Sequence, residues 1–278
     1  MNDLAQRTAV VTGAANGIGR AMVGRLATAG MRVVLADIDE RDLAAAATEL
    51  ESAGHQVLGV PTDVSDPASV DQLADAAWSR FGHVHLLHNN AGVGLAGNAW
   101  ETTLADWAWL LGVNLHGVIH GIRSFVPRML DHGGPGHVVN TASMAALAAP
   151  PGLAAYAASK HAVLGLSEAL RRDLIAVGSS IGVTVVCPGV VTTDIARAER
   201  HRPKRFQNSR GGSPAVVPLA LPPTIDPDDA SLGVLSPMTA EDVADRILEA
   251  IAADRFLVLT HQPAAEHLIR THLADLLG

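Results

Sequence analysis

The chain has 278 residues, 48% of them hydrophobic and only 3% aromatic, with a formal charge of −8 at neutral pH. That acidity excludes the basic stripe a nucleic-acid binder needs, and the single cysteine, Cys187, excludes an internal disulfide and a Cys-based zinc site. There is no apolar leader in "MNDLAQRTAVVTG" and no apolar run of about 18 residues or more, so the expectation is a soluble cytoplasmic protein with no membrane partner.

In chain order, the first element is the β-branched run "TAVVTG" (8–13), which leads through a glycine-rich turn into a helical pattern at 17–29. Gly13, Gly17 and Gly19 at that junction permit a tight turn and a close backbone approach. The helix N-terminus behind them offers N–H donors to a pyrophosphate. The spacing departs from GxGxxG, so the turn by itself is equally readable as structural. A second strand, "RVVLAD" (32–37), ends on Asp37, eighteen residues beyond Gly19, close to the separation of an acid that binds the adenosine ribose. A carboxylate there repels a 2′-phosphate, and Ile38 and Asp39 supply no cation, so NAD is favoured over NADP.

The alternation continues with a helix at 40–53, a strand at 56–64, a helix at 67–81 and a strand at 84–92. A long helix at 103–130, a strand at 137–143, a helix at 154–177 and a strand at 182–189 follow; a helix at 239–253 and a strand at 255–261 close the pattern. Strands apolar on both faces and separated by helices predict a single doubly wound α/β domain, a parallel sheet of about seven strands with helices on both faces. One stretch breaks the rhythm: residues 194–238 are Pro-rich, and their position after a strand C-terminus predicts a substrate lid. Within it "RHRPKR" (200–205) reads as solvated. The histidines suggest no metal site: His83, His85 and His88 surround one strand, and His116 and His120 lack an HExxH glutamate or a third ligand. Cys187, at a strand end, reads as a packed small residue.

The stretch "PGLAAYAASKHAVLG" (151–165) holds the chain's single tyrosine, Tyr156, four residues before Lys160. In a helix the two side chains share a face. An ammonium about 5 Å from the phenol, at an effective dielectric of about 20, would favour phenolate by roughly 3 kcal/mol, which is about two pKa units. The pair thus makes a proton-transfer group usable near neutral pH.

These features together resemble a classical short-chain dehydrogenase/reductase over roughly residues 5–193. The matching motifs are "TGAANGIG" (12–19), "DV" (63–64), "NNAG" (89–92), "VNLHG" (113–117), "NTASMA" (140–145), "YAASK" (156–160) and "PGVVTT" (188–193). The resemblance implies a Rossmann fold and a catalytic tetrad of Asn114, Ser143, Tyr156 and Lys160. Tyr156 would be general acid/base, Ser143 would bond the substrate oxygen, Lys160 would lower the tyrosine pKa and hold the nicotinamide ribose, and Asn114 would position a water relay. It further implies cofactor contacts from Gly13, Asn16, Gly17, Ile18 and Gly19, from Asp37, from Asp63 and Val64 at the adenine, and from Asn90, Ala91 and Gly92. Pro188, Gly189, Val191 and Thr193 would border the nicotinamide. A homo-oligomer, dimer or tetramer, is implied by the same resemblance and by the apolar helices at 103–130 and 154–177.

The reading is therefore an NAD-dependent oxidoreductase interconverting a secondary alcohol and its ketone. The substrate is expected to be lipophilic, because "MAALAAPPGLA" (144–154) and "AVVPLALPP" (215–223) are nearly free of charge. An NADPH-dependent carbonyl reductase is the alternative. A non-catalytic NAD(H)-binding sensor is a further one, disfavoured because all four tetrad residues are present.

Overall fold

The computed structural model describes residues 4–208 and 237–278; the rest of the expected lid, including 215–223, lies outside the described residues. Seven strands form one parallel sheet: β1 (Thr8–Thr12), β2 (Arg32–Asp37), β3 (Val57–Pro61), β4 (Leu86–Asn89), β5 (Gly136–Thr141), β6 (Ile181–Cys187) and β7 (Leu257–Leu259). Their order, β3-β2-β1-β4-β5-β6-β7, reverses direction between β1 and β4, which opens a crevice at their C-terminal ends.

The strands are buried on both sides because helices cover both. Alternate residues of β1 face opposite layers: Ala9 and Val11 pack toward α1 (Gly17–Thr28), α2 (Glu40–Ser52) and α7 (Ala240–Ala252). Val10 packs toward α3 (Pro67–Phe81), α5 (Gly117–His132) and α6 (Ala154–Ala176). Local chemistry starts these helices. The Asp39 carboxylate caps α2 at the Asp42 N–H, Pro67 opens α3 behind Asp66, and Thr239 with Asp242 forms a capping box on α7. Among the described residues no helix is long and apolar enough to cross a membrane.

Three elements differ from the sequence expectation. The helix expected at 103–130 is α4 (Leu104–Leu111), a π-helical turn (Gly112–His116) and α5. A π turn widens one helical turn and re-aims its side chains, and periodicity alone cannot register it. A further helix, α8 (Gln262–Leu277), follows β7, and its only starting signal was Pro263 in the first turn. Strands expected to run to 64, 92 and 143 leave the sheet earlier, so Asp63, Asn90–Gly92 and Ser143 stand on connections at the sheet's C-terminal edge.

The histidines found structural partners. His83 stacks on His132 with ring centroids 3.5 Å apart, and His85 Nδ1 accepts from the Thr8 N–H at 3.2 Å. No group of metal-ligating side chains exists among the described residues. His88 and His137 are buried, and burial pushes their pKa values down to about 3 and about 4, so both are neutral when folded. The unfolded chain protonates them below about pH 6.5, so their stabilisation is full above that pH and declines as pH falls toward 4. Thermal unfolding followed by circular dichroism is expected to show Tm falling over this window. His137→Leu would shallow the slope, and an unchanged slope would refute the assignment.

Candidate active site

The cleft between β1 and β4 opens into a cavity of about 440 Å³. At one end lies the turn from β1 to α1. Gly13 has φ +64°, and a Cβ there would stand 2.8 Å from the Ala91 Cα; a Cβ on Gly19 would sit on the Gly13 carbonyl oxygen. Only glycine fits at either position, and the α1 N-terminus faces the cavity at Gly17 and Ile18. Such a bare backbone cradle suits a pyrophosphate. Asp37 lines the same end, its carboxylate accepting from Ala15 N at 2.9 Å and Asp39 N at 3.0 Å. Asp63 and Val64, Asn90, Ala91 and Gly92, and Pro188, Gly189, Val191 and Thr193 all line this cavity, as do Asn16, Ser143, Tyr156 and Lys160. Gly19 and Asn114 stand behind its wall, where Gly19 packs on Gly13 and Asn114 is fully buried.

At the other end the first turn of α6 brings Tyr156 and Lys160 to the end of β5. Lys160 Nζ donates to the Thr141 carbonyl at 2.9 Å and lies 5.7 Å from the Tyr156 ring centroid. The Ser143 hydroxyl bonds the phenol and accepts from Ala145 N at 3.1 Å. Asn114 sits on the π turn, with Oδ1 accepting from Val93 N at 2.8 Å and Nδ2 donating to Val93 O at 3.0 Å and Ser159 Oγ at 3.1 Å. A Cβ on Gly92 would lie 3.4 Å from both Asn114 Oδ1 and Lys160 Nζ, so these two atoms converge on the gap that glycine leaves.

The electrostatics correct one expectation. Burial pushes the Tyr156 phenol above its ordinary pKa, and the Ser143 hydrogen bond opposes this only in part. Burial also lowers Lys160 to about 8, so the lysine is itself short of solvation and does not outweigh the desolvation of the phenol. The sequence argument set the ion pair in a medium of fixed dielectric and left out the cost of burying both groups. Cys187, beside them at the end of β6, is pushed up to about 12 by burial, which makes it an inert thiol, as its strand-end position suggested.

The apolar lining also differs in origin. Of residues 144–154, Leu153 lines the cavity, whereas Met144 packs against α8. The apolar wall comes instead from Val93, Leu95, Ala96, Trp109, Ile195 and Ala198.

The basic run 200–205 is solvated in part, as expected at Arg200, Lys204 and Arg205, but it also packs on the site and buries Arg202. Residues Asp194–His201 and Lys204–Phe206 form two short 3-10 helices that lie against the cavity. The Arg202 side chain is 2% exposed, its NH1 sits 2.7 Å from the Oδ1 of fully buried Asp106, and its guanidinium lies 4.8 Å over the Trp109 ring. Arg205 NH2 donates to Asp63 Oδ2 at 2.6 Å. Arg200 donates to His201 Nε2 at 2.6 Å, and that nitrogen stands 3.5 Å from Asp39 Oδ2. Cations therefore do reach the Asp37 end, from a segment far away in sequence. The acidic rim gathered from β2, β3 and α4 draws them in, and that rim exists only once the chain is folded.

Comparison with known proteins matches residues 7–204 to the short chain dehydrogenase family model. A 1-deoxy-11-beta-hydroxypentalenate dehydrogenase from Streptomyces avermitilis is 40% identical over 263 residues, covering 94% of this chain and 87% of that one. The crystal structure of a short chain dehydrogenase/reductase from Burkholderia phymatum in complex with NAD is 45% identical, with a TM-score of 0.90 over 99% of this chain and 96% of that chain. A short chain dehydrogenase from Burkholderia cenocepacia in complex with NADP is 27% identical, with a TM-score of 0.73 over 92% of this chain and 98% of that one.

The buried Arg202–Asp106 pair makes a direct prediction. Asp106→Asn removes the buried charge nearest the guanidinium and leaves it the half-exposed Glu199 at 3.3 Å, and is expected to lower unfolding free energy by about 2 kcal/mol in urea titrations. A change within about 0.5 kcal/mol would mean the pair is solvated after all.

Proposed function

The chain belongs to the classical short-chain dehydrogenase/reductase family of oxidoreductases acting on hydroxyl groups, and from that membership we propose that it interconverts a lipophilic secondary alcohol and its ketone with NAD(H). The observation that carries the reading is the convergence of Ser143, Tyr156 and Lys160 on one cavity whose opposite end is the glycine cradle. The residues present fit a dinucleotide: the cradle admits no Cβ at Gly13 or Gly19, and Asp37 presents its carboxylate to the same cavity.

When bound, the nicotinamide supplies a hydride acceptor for the alcohol carbon and a hydride donor for the carbonyl. Ser143 holds the substrate oxygen and stabilises charge developing on it. Tyr156 takes the hydroxyl proton during oxidation and returns it during reduction. Lys160 holds positive charge below the phenol, at a pKa of about 8 that leaves much of it protonated near neutrality. Asn114 Oδ1 faces the same gap as Lys160 Nζ and orders a water there, which passes the proton outward. The apolar wall around Trp109 favours a substrate without charge at that end, and the Streptomyces relative, named for dehydrogenating a hydroxylated compound, fits this class. The substrate lid at 194–238 begins with Ile195 and Ala198 in the apolar wall, and a second copy of the chain covers the outer helices in a dimer or tetramer.

An NADP-linked reductase remains the second reading, because Arg200 and His201 line the cavity near Asp37. Absorbance at 340 nm with NAD or NADP and a panel of aliphatic, alicyclic and steroid alcohols separates the two. Reduction of NAD exceeding that of NADP at least tenfold is expected, and Asp37→Ser would narrow the ratio. NADP preferred by the wild type would overturn the assignment to Asp37.

Tyr156→Phe is expected to lower kcat by roughly 10²–10⁴-fold while NADH binding is retained. Turnover surviving in that variant would remove Tyr156 from proton transfer.

A further inference from the structure

The cavity end remote from Tyr156 has a second wall that the proton-transfer chemistry does not use. On the sheet side it is bounded by Asp37 and Ile38 after β2 and by Thr62, Asp63 and Val64 after β3. Facing them are Arg200, His201 and Pro203. This segment lies against the β2 margin of the sheet-side wall and is bonded to its β3 margin. At the β2 margin, Arg200 bonds His201, whose ring stands 3.5 Å from Asp39. At the β3 margin, Arg205 NH2 reaches Asp63 Oδ2 at 2.6 Å and Ser65 Oγ at 2.7 Å. Behind the segment, Arg202 is anchored on Asp106, and the Phe206 ring closes on Gly112, where a Cβ would stand 3.3 Å from it.

Two features decide what these ties do. The cavity is open with all of them made, so the segment is a wall of the site and not a plug in it. Asp63 is also held from every side: Oδ1 accepts from Ser65 N at 3.0 Å and Ser65 Oγ at 2.6 Å, while Oδ2 is held by Arg205. A carboxylate fixed in this way keeps lone pairs free for a further donor and loses no side-chain entropy when one arrives.

We propose that residues 200–206 are a strap completing the adenosine subsite, with Arg205 the positioning residue that aims the Asp63 carboxylate at the adenine amino group. This rests on the dinucleotide reading above. Arg205 sits on Asp63 and Ser65, outside the cavity lining, so its influence is expected to fall on the adenosine half of the cofactor. Its pair with Asp63 is half exposed, which sets a modest effect.

The test is titration of the full chain with NADH, followed by energy transfer from tryptophan to the reduced nicotinamide, with ADP-ribose and nicotinamide mononucleotide as competing half-cofactors. Arg205→Gln is expected to weaken NADH and ADP-ribose about threefold to fivefold and leave nicotinamide mononucleotide unchanged. Arg205→Lys recovers most of the loss. In an Asp63→Asn background, Arg205→Gln weakens binding no further, whereas a general disturbance of the fold would add to it. With any alcohol that is turned over, KM for NAD rises by the same factor at unchanged kcat. Equal weakening of both half-cofactors, unchanged binding of both, or tighter ADP-ribose binding in Arg205→Gln would each overturn the strap. Failure of the wild type to bind NADH would instead overturn the dinucleotide reading on which the strap rests.

Discussion

Everything in the site hangs on how closely β1 and β4 are stitched where the strand order reverses. The Thr12 hydroxyl accepts from Asn90 N at 2.9 Å and Ala91 N at 3.0 Å. The Asn90 amide donates in return to the Thr12 and Gly13 carbonyls, at 3.0 and 3.3 Å. This double lacing satisfies backbone groups that the diverging strands would otherwise leave unpaired. It also brings Gly13 so near Ala91 that no side chain fits between them. The lacing extends into the catalytic end. Thr141 donates to Asn90 Oδ1 at 3.2 Å and therefore accepts from His88 Nε2 at 2.9 Å, while its carbonyl receives Lys160. One network of neutral groups thus fixes both the cofactor cradle and the lysine.

That network explains the electrostatic character of the catalytic end. Lys160 is buried on a carbonyl and not on a carboxylate, so the charge is held by dipoles alone and its pKa falls to about 8. Tyr156 lies in the same dry surroundings and is shifted against ionisation. Two groups, each biased toward its neutral form, are poised to respond to a positive charge brought in by a ligand: a cation beside the phenol stabilises phenolate far more in a low-dielectric site than in water. Under the proposed function, the ring of the oxidised cofactor would supply that charge beside Tyr156.

The sequence made the scaffold legible because the scaffold is periodic. Apolar runs between Ala-rich amphipathic segments leave little freedom but a covered parallel sheet, and Tyr156, Lys160, Gly13 and Asp37 lie at element ends where the chain pattern marks them. Less legible were features that depend on contacts across the fold. The π turn at Gly112–His116 keeps helical composition and changes only its winding. Tyr156 is desolvated in a cluster that includes the 93–96 loop and Trp109 of α4, residues far from it in sequence. In α8, Pro263 in the first turn is the one local starting signal, because no side chain caps the helix.

The basic run 200–205 is the sharpest case of this kind, and it bears on how such a cleft takes an anion at all. Asp37, Asp39 and Asp63 collect at the strand ends, where their carboxylates accept from the loop and helix N–H groups around them. Their charge would repel a pyrophosphate in the proposed cradle, which opposes that repulsion only with backbone N–H groups and the end of a helix dipole. Within the cleft Lys160 is the sheet-side cation, and it stands at the far end. Arg200 lines the opposite wall and Arg205 pairs with Asp63 at its margin, so positive charge reaches the acids from a segment distant enough in sequence to escape any local motif. A segment read alone as solvated charge becomes, once the acids are assembled, part of their counter-charge.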